Sequence, residues 1–220
     1  MAYQDDIKKA AALLLPWNKL SGCNILVTGA TGLIGGCLVD VLMAHKGRNY
    51  NVYASGRNEE RAGRRFLKYA DDNAFHFVKY DVAQPLEYDV NFQYIIHAAS
   101  GAYPEEFIKH PVEVIKGNIN GLDNLMGYGI QHGIKRLLYI SSGEVYGEGD
   151  GRVFTENYSG YVDCTSLRSC YPSSKRAAET LCISYGAEYG IDVVIARPCH
   201  VYGPGFTESD NRCLLYTSPS

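Results

Sequence analysis

The sequence predicts a doubly wound α/β fold, a parallel β-sheet with helices on both faces. Three observations carry that prediction. Six short apolar runs recur along the chain, and their hydrophobicity is continuous rather than alternating, as it must be for strands buried on both faces. Stretches of helical period separate them, the pattern of βαβ units. The first run ends in a glycine-rich turn, Gly29-Ala-Thr-Gly32-Leu-Ile-Gly35, where a strand gives way to a helix.

The elements follow in order. The opening segment MAYQDDIKKAAALLL predicts an amphipathic helix ending before Pro16, and residues 1–22 form a lead-in. Strands are expected at 24–29, 51–55, 74–80, 93–98, 136–142 and 192–197. Helices are expected at 33–45, 58–69, 105–132 and 172–189, with Pro111 near the start of the third. Residues 147–169 are the one long irregular segment, and long loops in compact α/β domains are often functional. There is no internal repeat.

Composition narrows the function. The chain has 220 residues, 21 basic and 24 acidic, for a net charge of −3. Nucleic-acid binding usually needs a basic excess, so it is not expected. Hydrophobic residues make up 46% and charged residues 20%, a globular profile. No apolar run approaches the roughly 20 residues of a membrane span. The start carries Asp5 and Asp6 and lacks the basic region of a secretory leader. Seven cysteines, an odd number without a CxxC pair, suit reduced thiols, so a cytoplasmic location is expected. No His, Cys and carboxylate set has metal-ligand spacing, and no metal is expected.

The glycine turn predicts a dinucleotide site. Gly29 allows the tight turn, Gly32 lets the backbone approach a pyrophosphate, and Gly35 lets the helix lie close to the sheet. Thr31, Leu33 and Ile34 complete the segment, and the helix N-terminus offers free N–H groups and partial positive charge. About 20 residues on, an acid would accept the ribose diol of NAD. Here the second strand runs into Gly56-Arg57 instead. Arg57 can accommodate the 2′-phosphate of NADP or be a solvated surface residue, and the choice between NAD and NADP stays open. Asp81 and Val82 end the third strand, where an acid can accept a hydrogen bond from the adenine amino group. Ala98, Ala99 and Ser100 end the fourth, small enough to let a cofactor cross the sheet edge.

Tyr171-Pro-Ser-Ser-Lys175 places a phenol and an ammonium four apart on one helix face. A phenol with pKa about 10 is a weak base at neutral pH, and nearby positive charge can lower that value. Tyr171 could then remove a hydroxyl proton while Ser142, at the end of the fifth strand, holds the same oxygen.

These motifs resemble a known family. VTGATGLIG, YDV, HAAS, Asn118, SSGEVYG, YPSSK and RPCHVYGPG, across residues 24–212, are similar to the extended short-chain dehydrogenases/reductases of the nucleotide-sugar epimerase/dehydratase family. The likeness is greatest to its UDP-glucuronate decarboxylase branch, on HAASGAYPEEFIKHPVEVIKGN and TENYSGYVDCTSLRSCYPSSKRAAETLC. The resemblance implies a Rossmann domain over 23–212 with tightly bound NAD acting on C4 of a UDP- or dTDP-hexose. It implies Tyr171 as base, Lys175 as its partner, Ser142 at O4 and Glu144 as the acidic residue. It puts Lys116, Asn124 and Tyr185 near the nucleotide-sugar, and Gly117, Val201 and Arg212 by the cofactor. It also implies a homodimer paired through the two long helices. Most of the substrate lobe would follow Arg212, where the likeness stops, so residues 213–220 are expected to be a tail foreign to the fold.

Departures leave the substrate open. Gly143 replaces a hydroxyl or acid, His200 replaces an Asn, Cys164 interrupts a Pro-containing segment, and the acid after the second strand is missing. The alternatives are a dTDP- or CDP-glucose 4,6-dehydratase, a nucleotide-sugar 4-epimerase, an NADPH-dependent ketoreductase and a non-catalytic nucleotide-sensing module.

Overall fold

The computed structural model describes residues 2–102, 104–201 and 203. Six strands form one sheet: β1 (Asn24–Thr28), β2 (Asn51–Gly56), β3 (Phe75–Lys79), β4 (Tyr94–His97), β5 (Arg136–Ile140) and β6 (Asp192–Ala196). Their order is β3-β2-β1-β4-β5-β6 and the pairings are parallel. The order reverses between β1 and β4. Open α/β sheets form their crevice past the carboxyl ends of the strands at such a switch point. The doubly wound Rossmann architecture expected from the strand pattern is the one observed.

The central strands β1 and β2 are buried on both faces, which explains their continuous apolar runs, whereas the edge strands β3 and β6 are only partly covered. Ile25, Val27, Val52 and Ala54 meet α2 (Leu33–Ala44) and α3 (Glu59–Phe66) through Val39, Leu42 and Phe66. Leu26, Tyr53, Ile95 and Leu137 point the other way. They pack on Leu122, Leu125 and Met126 of α5 (Pro111–Gln131) and Cys182 of α6 (Cys170–Tyr189). Each fully buried aliphatic side chain contributes roughly 1.5–3 kcal/mol.

Three helices differ from expectation. The helix expected over 105–132 is two, α4 (Pro104–Lys109) and α5, because His110 precedes Pro111 and is forced out of helical geometry (φ −136°, ψ 49°). Pro111 then opens α5, where its missing N–H costs nothing. The helix expected at 172 starts at Cys170, since Pro172 is tolerated anywhere in the first turn. It ends at Gly190 in the left-handed conformation (φ 71°). The N-terminal helix, α1 (Ala2–Ala11), stops short of Leu13, Leu14 and Leu15, which are exposed.

Helix α1 is fastened to α2 by a fully buried carboxylate. Asp40 accepts a hydrogen bond from Tyr3 at 2.6 Å and from Tyr69 at 2.9 Å, and pairs with Arg65 and with Lys68 at 2.7 Å. Burial opposes its ionisation, but Arg65, Lys68 and Tyr3 outweigh that and hold the carboxyl below its ordinary value. The segment expected to be irregular, 147–169, is tied down from α6 and from Arg197, just past β6. Arg176 donates to the carbonyls of Val145 (2.7 Å) and Gly160 (2.9 Å), and Arg197 donates to that of Glu156 (2.8 Å). Among the described residues, no helix is long and apolar enough to cross a membrane. Arg212 and the expected tail at 213–220 lie outside the described residues.

Candidate active site

One cleft of about 1210 Å³ opens along the carboxyl ends of the strands, across the switch point. The glycine turn forms its floor. A Cβ on Gly29 would lie 2.6 Å from the Ala98 carbonyl oxygen and 2.7 Å from Ala99 Cα, and Gly29 has φ 64°. A Cβ on Gly35 would lie 2.4 Å from the Gly29 oxygen. Only glycine fits either place. The turn delivers Thr31, Gly32, Leu33 and Ile34 to the cleft, with the N-terminus of α2 behind them. A bare backbone cradle before a helix N-terminus, in a cleft this long, fits a dinucleotide pyrophosphate.

The other strand ends complete the wall. Ala98, Ala99 and Ser100 follow β4, Asp81 and Val82 follow β3, and Arg57 follows β2, all lining the cleft. Gly117 and Lys116 line it from α5, and Val201 from the segment after β6. A side chain on Gly117 would meet no atom within 4 Å.

Tyr171, Lys175, Ser142 and Glu144 line the same cleft. Tyr171 sits in the first turn of α6, 7% exposed, stacked on Phe107 of α4 with ring centroids 4.8 Å apart. Burial raises the phenol above its ordinary pKa. Ser142 pulls it down, the Glu144 charge pushes it up, and Arg168 and Ser100 pull it down. Lys175 is fully buried, donates to the Ile140 carbonyl at 2.9 Å, and stands 4.7 Å from the Tyr139 ring centre. Burial pushes this ammonium down to about 7. The positive charge expected from Lys175 is therefore itself weakened, and the pull on the phenol comes from Ser142, Arg168 and Ser100 instead.

Ser142 caps a short 3₁₀ turn, Gly143–Tyr146, its oxygen accepting the Glu144 N–H at 3.2 Å. Its hydroxyl also hydrogen-bonds the Tyr171 phenol, so the two groups face the same point in the cleft. Glu144 pairs with Arg168 at 2.5 Å, and Arg168 lies over the Phe107 ring at 4.7 Å. A second chain of bonds fixes the helix start. Ser100 donates to Asn118 (2.7 Å), Asn118 to Ser174 (2.9 Å), and Ser174 to the Tyr171 carbonyl (3.0 Å). Beneath Lys175, His97 is buried and bonded to Thr28 at 2.8 Å, and burial with the Lys175 charge lowers its pKa to about 3. A set of this kind can hold a hydroxyl, accept its proton and orient a neighbouring carboxylate.

The residues of the cleft match a known family. The NAD dependent epimerase/dehydratase family matches over residues 25–217. The chain belongs to that family. The family's cofactor is NAD, and two solved relatives with NAD bound share the fold. UDP-glucuronic acid 4-epimerase from Bacillus cereus is 26% identical with a TM-score of 0.66, over 82% of this chain and 57% of its own. A dTDP-glucose 4,6-dehydratase double mutant from Streptomyces venezuelae is 25% identical with a TM-score of 0.69, over 82% and 56%. In sequence, UDP-glucuronic acid decarboxylase 6 from Arabidopsis thaliana is 36% identical over 197 residues, 88% of this chain and 55% of the relative. UDP-glucuronic acid decarboxylase 1 from Xenopus tropicalis is 33% identical, over 86% and 44%. The chain thus spans about half the length of the curated relatives it matches.

Two residues expected at the nucleotide-sugar stand outside the cleft. Asn124 donates to the Val82 carbonyl at 2.9 Å, so it holds a cleft wall from behind. Tyr185 donates to Asp123 at 2.6 Å, bridging α6 to α5. Sequence reasoning assigned no role to Arg168, Phe107 or Asn118. Arg168 lay inside the quoted RSCY motif and Asn118 inside the family pattern, so position was available and partner was not. Among the described residues, no group of three or more His, Cys, Asp or Glu is placed to hold a metal.

Proposed function

We propose that the whole protein is an enzyme that oxidises C4 of a nucleotide-linked hexose, and that UDP-glucuronate is its substrate, whose C6 carboxylate leaves as CO2 with formation of UDP-xylose. The observation that carries the reading is Tyr171, Lys175, Ser142 and Glu144 on one cleft with the glycine cradle. The identity to UDP-glucuronic acid decarboxylases supports the substrate.

NAD, when bound along the glycine cradle, would supply the acceptor and later the donor of hydride, and its cationic ring would lower the phenol's pKa. In this reading Ser142 donates to the C4 oxygen, and Tyr171 takes the hydroxyl proton as the C4–H bond yields hydride. Ser142, Arg168 and Ser100 favour the phenol's deprotonated form, and Lys175, 5.8 Å from the phenol ring centre, adds its charge when protonated. The resulting 4-ketone lies β to the C5 carboxylate. The C5–C6 bond then breaks, CO2 leaves, and the electron pair enters an enolate across C4 and C5. Glu144, oriented by Arg168, passes a proton drawn from water to C5, which converts the enolate to the 4-ketone. Tyr171 returns its proton as C4 is reduced. Gly143 bears on the dehydratase alternative. It offers no acid for the C6 hydroxyl, and a Cβ there would stand 3.0 Å from Cys199 Sγ.

The protein extended to the length of its relatives should release CO2 from UDP-glucuronate. If a dTDP- or CDP-hexose is dehydrated while UDP-glucuronate is inert, the dehydratase reading replaces it. We propose also that the 220-residue chain binds cofactor without turning over sugar. Homodimer formation through α5 and α6 is part of the same reading, supported by exposed Ile115, Ile130 and Ile183, and sedimentation checks it. A reducing, cytoplasmic setting is supported by free thiols at the six described cysteines.

A further inference from the structure

We propose that the end of the cleft between β2 and α3 is a 2′-phosphate site, so that this chain binds NADP(H) more tightly than NAD(H). The proposal concerns the cofactor alone and does not depend on the sugar chemistry above. A bare ribose diol is normally read by a carboxylate at the end of the second strand. Here the strand ends at Gly56, and the acids lining the cleft are Asp81 after β3, Glu106 and Glu113 on α4 and α5, and Glu144 after β5. None comes from the β2–α3 connection. Crowding does not explain the missing acid. A Cβ on Gly56 would meet Thr31 at 3.5 Å and Phe77 at 4.0 Å, ordinary contacts.

Two guanidinium groups stand there instead. Arg57 and Arg61 both line the cleft. Asn58 caps α3 between them, accepting the Arg61 N–H at 2.8 Å and fixing the first turn. The two acids of that turn are engaged elsewhere, Glu59 with Lys79 at 2.9 Å and Glu60 with Arg64 at 3.3 Å. Among the described residues neither Arg57 nor Arg61 has an ion-pair partner. Beside them Ser55, 1% exposed and lining the cleft, has a buried hydroxyl with no hydrogen-bond partner among the described residues. Buried hydroxyls are rarely left unpaired, and one at a ligand edge is a donor waiting for an acceptor. Two unneutralised arginines and a spare hydroxyl suit a phosphate dianion. They suit a neutral diol poorly, because it offers them no charge.

Calorimetric titration of the 220-residue chain with adenosine 2′,5′-bisphosphate and with 5′-AMP tests this directly, without turnover. The bisphosphate should bind at least about tenfold more tightly, the order expected for charge-assisted bonds. The gap should narrow as salt rises, since both arginines are exposed. Arg57→Ala with Arg61→Ala should close it, and Gly56→Asp should reverse it. Equal affinities, no measurable bisphosphate binding, or a double variant that keeps the gap would each overturn the proposal. Failure here alongside CO2 release from UDP-glucuronate would remove the 2′-phosphate site and leave the proposed function standing; the converse result would do the opposite.

Discussion

Tyr171 and Glu144 reach the cleft by different routes, and their replacement should separate two steps. Tyr171 is pinned by stacking on Phe107 and by the Ser100–Asn118–Ser174 chain. Tyr171→Phe keeps the ring, so fold and cofactor binding should survive while C4 oxidation in the full-length protein falls roughly 10²–10⁴-fold. Full activity in that variant would end the catalytic assignment. Glu144→Gln should still permit oxidation, so reduced nicotinamide absorbance accumulates with UDP-glucuronate while CO2 release drops. A third test at this scale uses pH. His97 is held neutral, its pKa lowered from 6.5 to about 3. Between those values the unfolded chain binds a proton that the folded chain refuses, so stability is lost as pH falls from 6.5 toward 3. His97→Asn should therefore lose less stability over that window than the parent in urea melts. Parallel curves would mean that His97 is not what acid attacks.

At the scale of elements, prolines and glycines decide where chemistry can sit. The break at His110–Pro111 makes α4 a separate helix, and only a separate helix brings Phe107 onto Tyr171 and Arg168. Pro172, tolerated in a first turn, lets α6 begin at Cys170 and sets Tyr171 at the cleft. Glycines differ by what surrounds them. Gly35 is confined, whereas Gly117 within α5 has no neighbour for a Cβ. Gly117→Ala should raise stability by about 0.5–1 kcal/mol, the usual helix-interior gain over glycine. It should also weaken cofactor binding if the dinucleotide uses that wall. Calorimetric melting and nucleotide titration read the two effects separately, and a lower Tm would show that the space is not free.

For the whole molecule, the sheet supplies the main core and Asp40 joins the N-terminal helix to it. Asp40→Asn would leave Arg65 and Lys68 facing a neutral, buried amide. The cost should be roughly 2–4 kcal/mol, less than for a fully buried pair because Arg65 and Lys68 are partly screened by water. Denaturant titration measures it, and a change under about 0.5 kcal/mol would mean that α1 is held by its apolar face alone.

Much of this was legible in the residues. Strand burial on both sheet faces writes itself as continuous apolar runs, and a glycine turn between strand and helix announces a phosphate cradle because few other residues survive there. Tyr171 and Lys175 were legible because four residues make one helix face. The missing acid after β2 was equally plain, since it concerns one position on one strand end. What the tertiary structure alone decided is who meets whom across long separations. Arg168 on Glu144, Asn118 between Ser100 and Ser174, and Asn124 on the Val82 carbonyl are all side-chain encounters between distant segments. So is the burial that weakens the Lys175 charge. Local pattern carries periodicity and backbone geometry. The partner of a polar group and its desolvation depend on how helices lie on the sheet, and no short stretch of sequence holds that information.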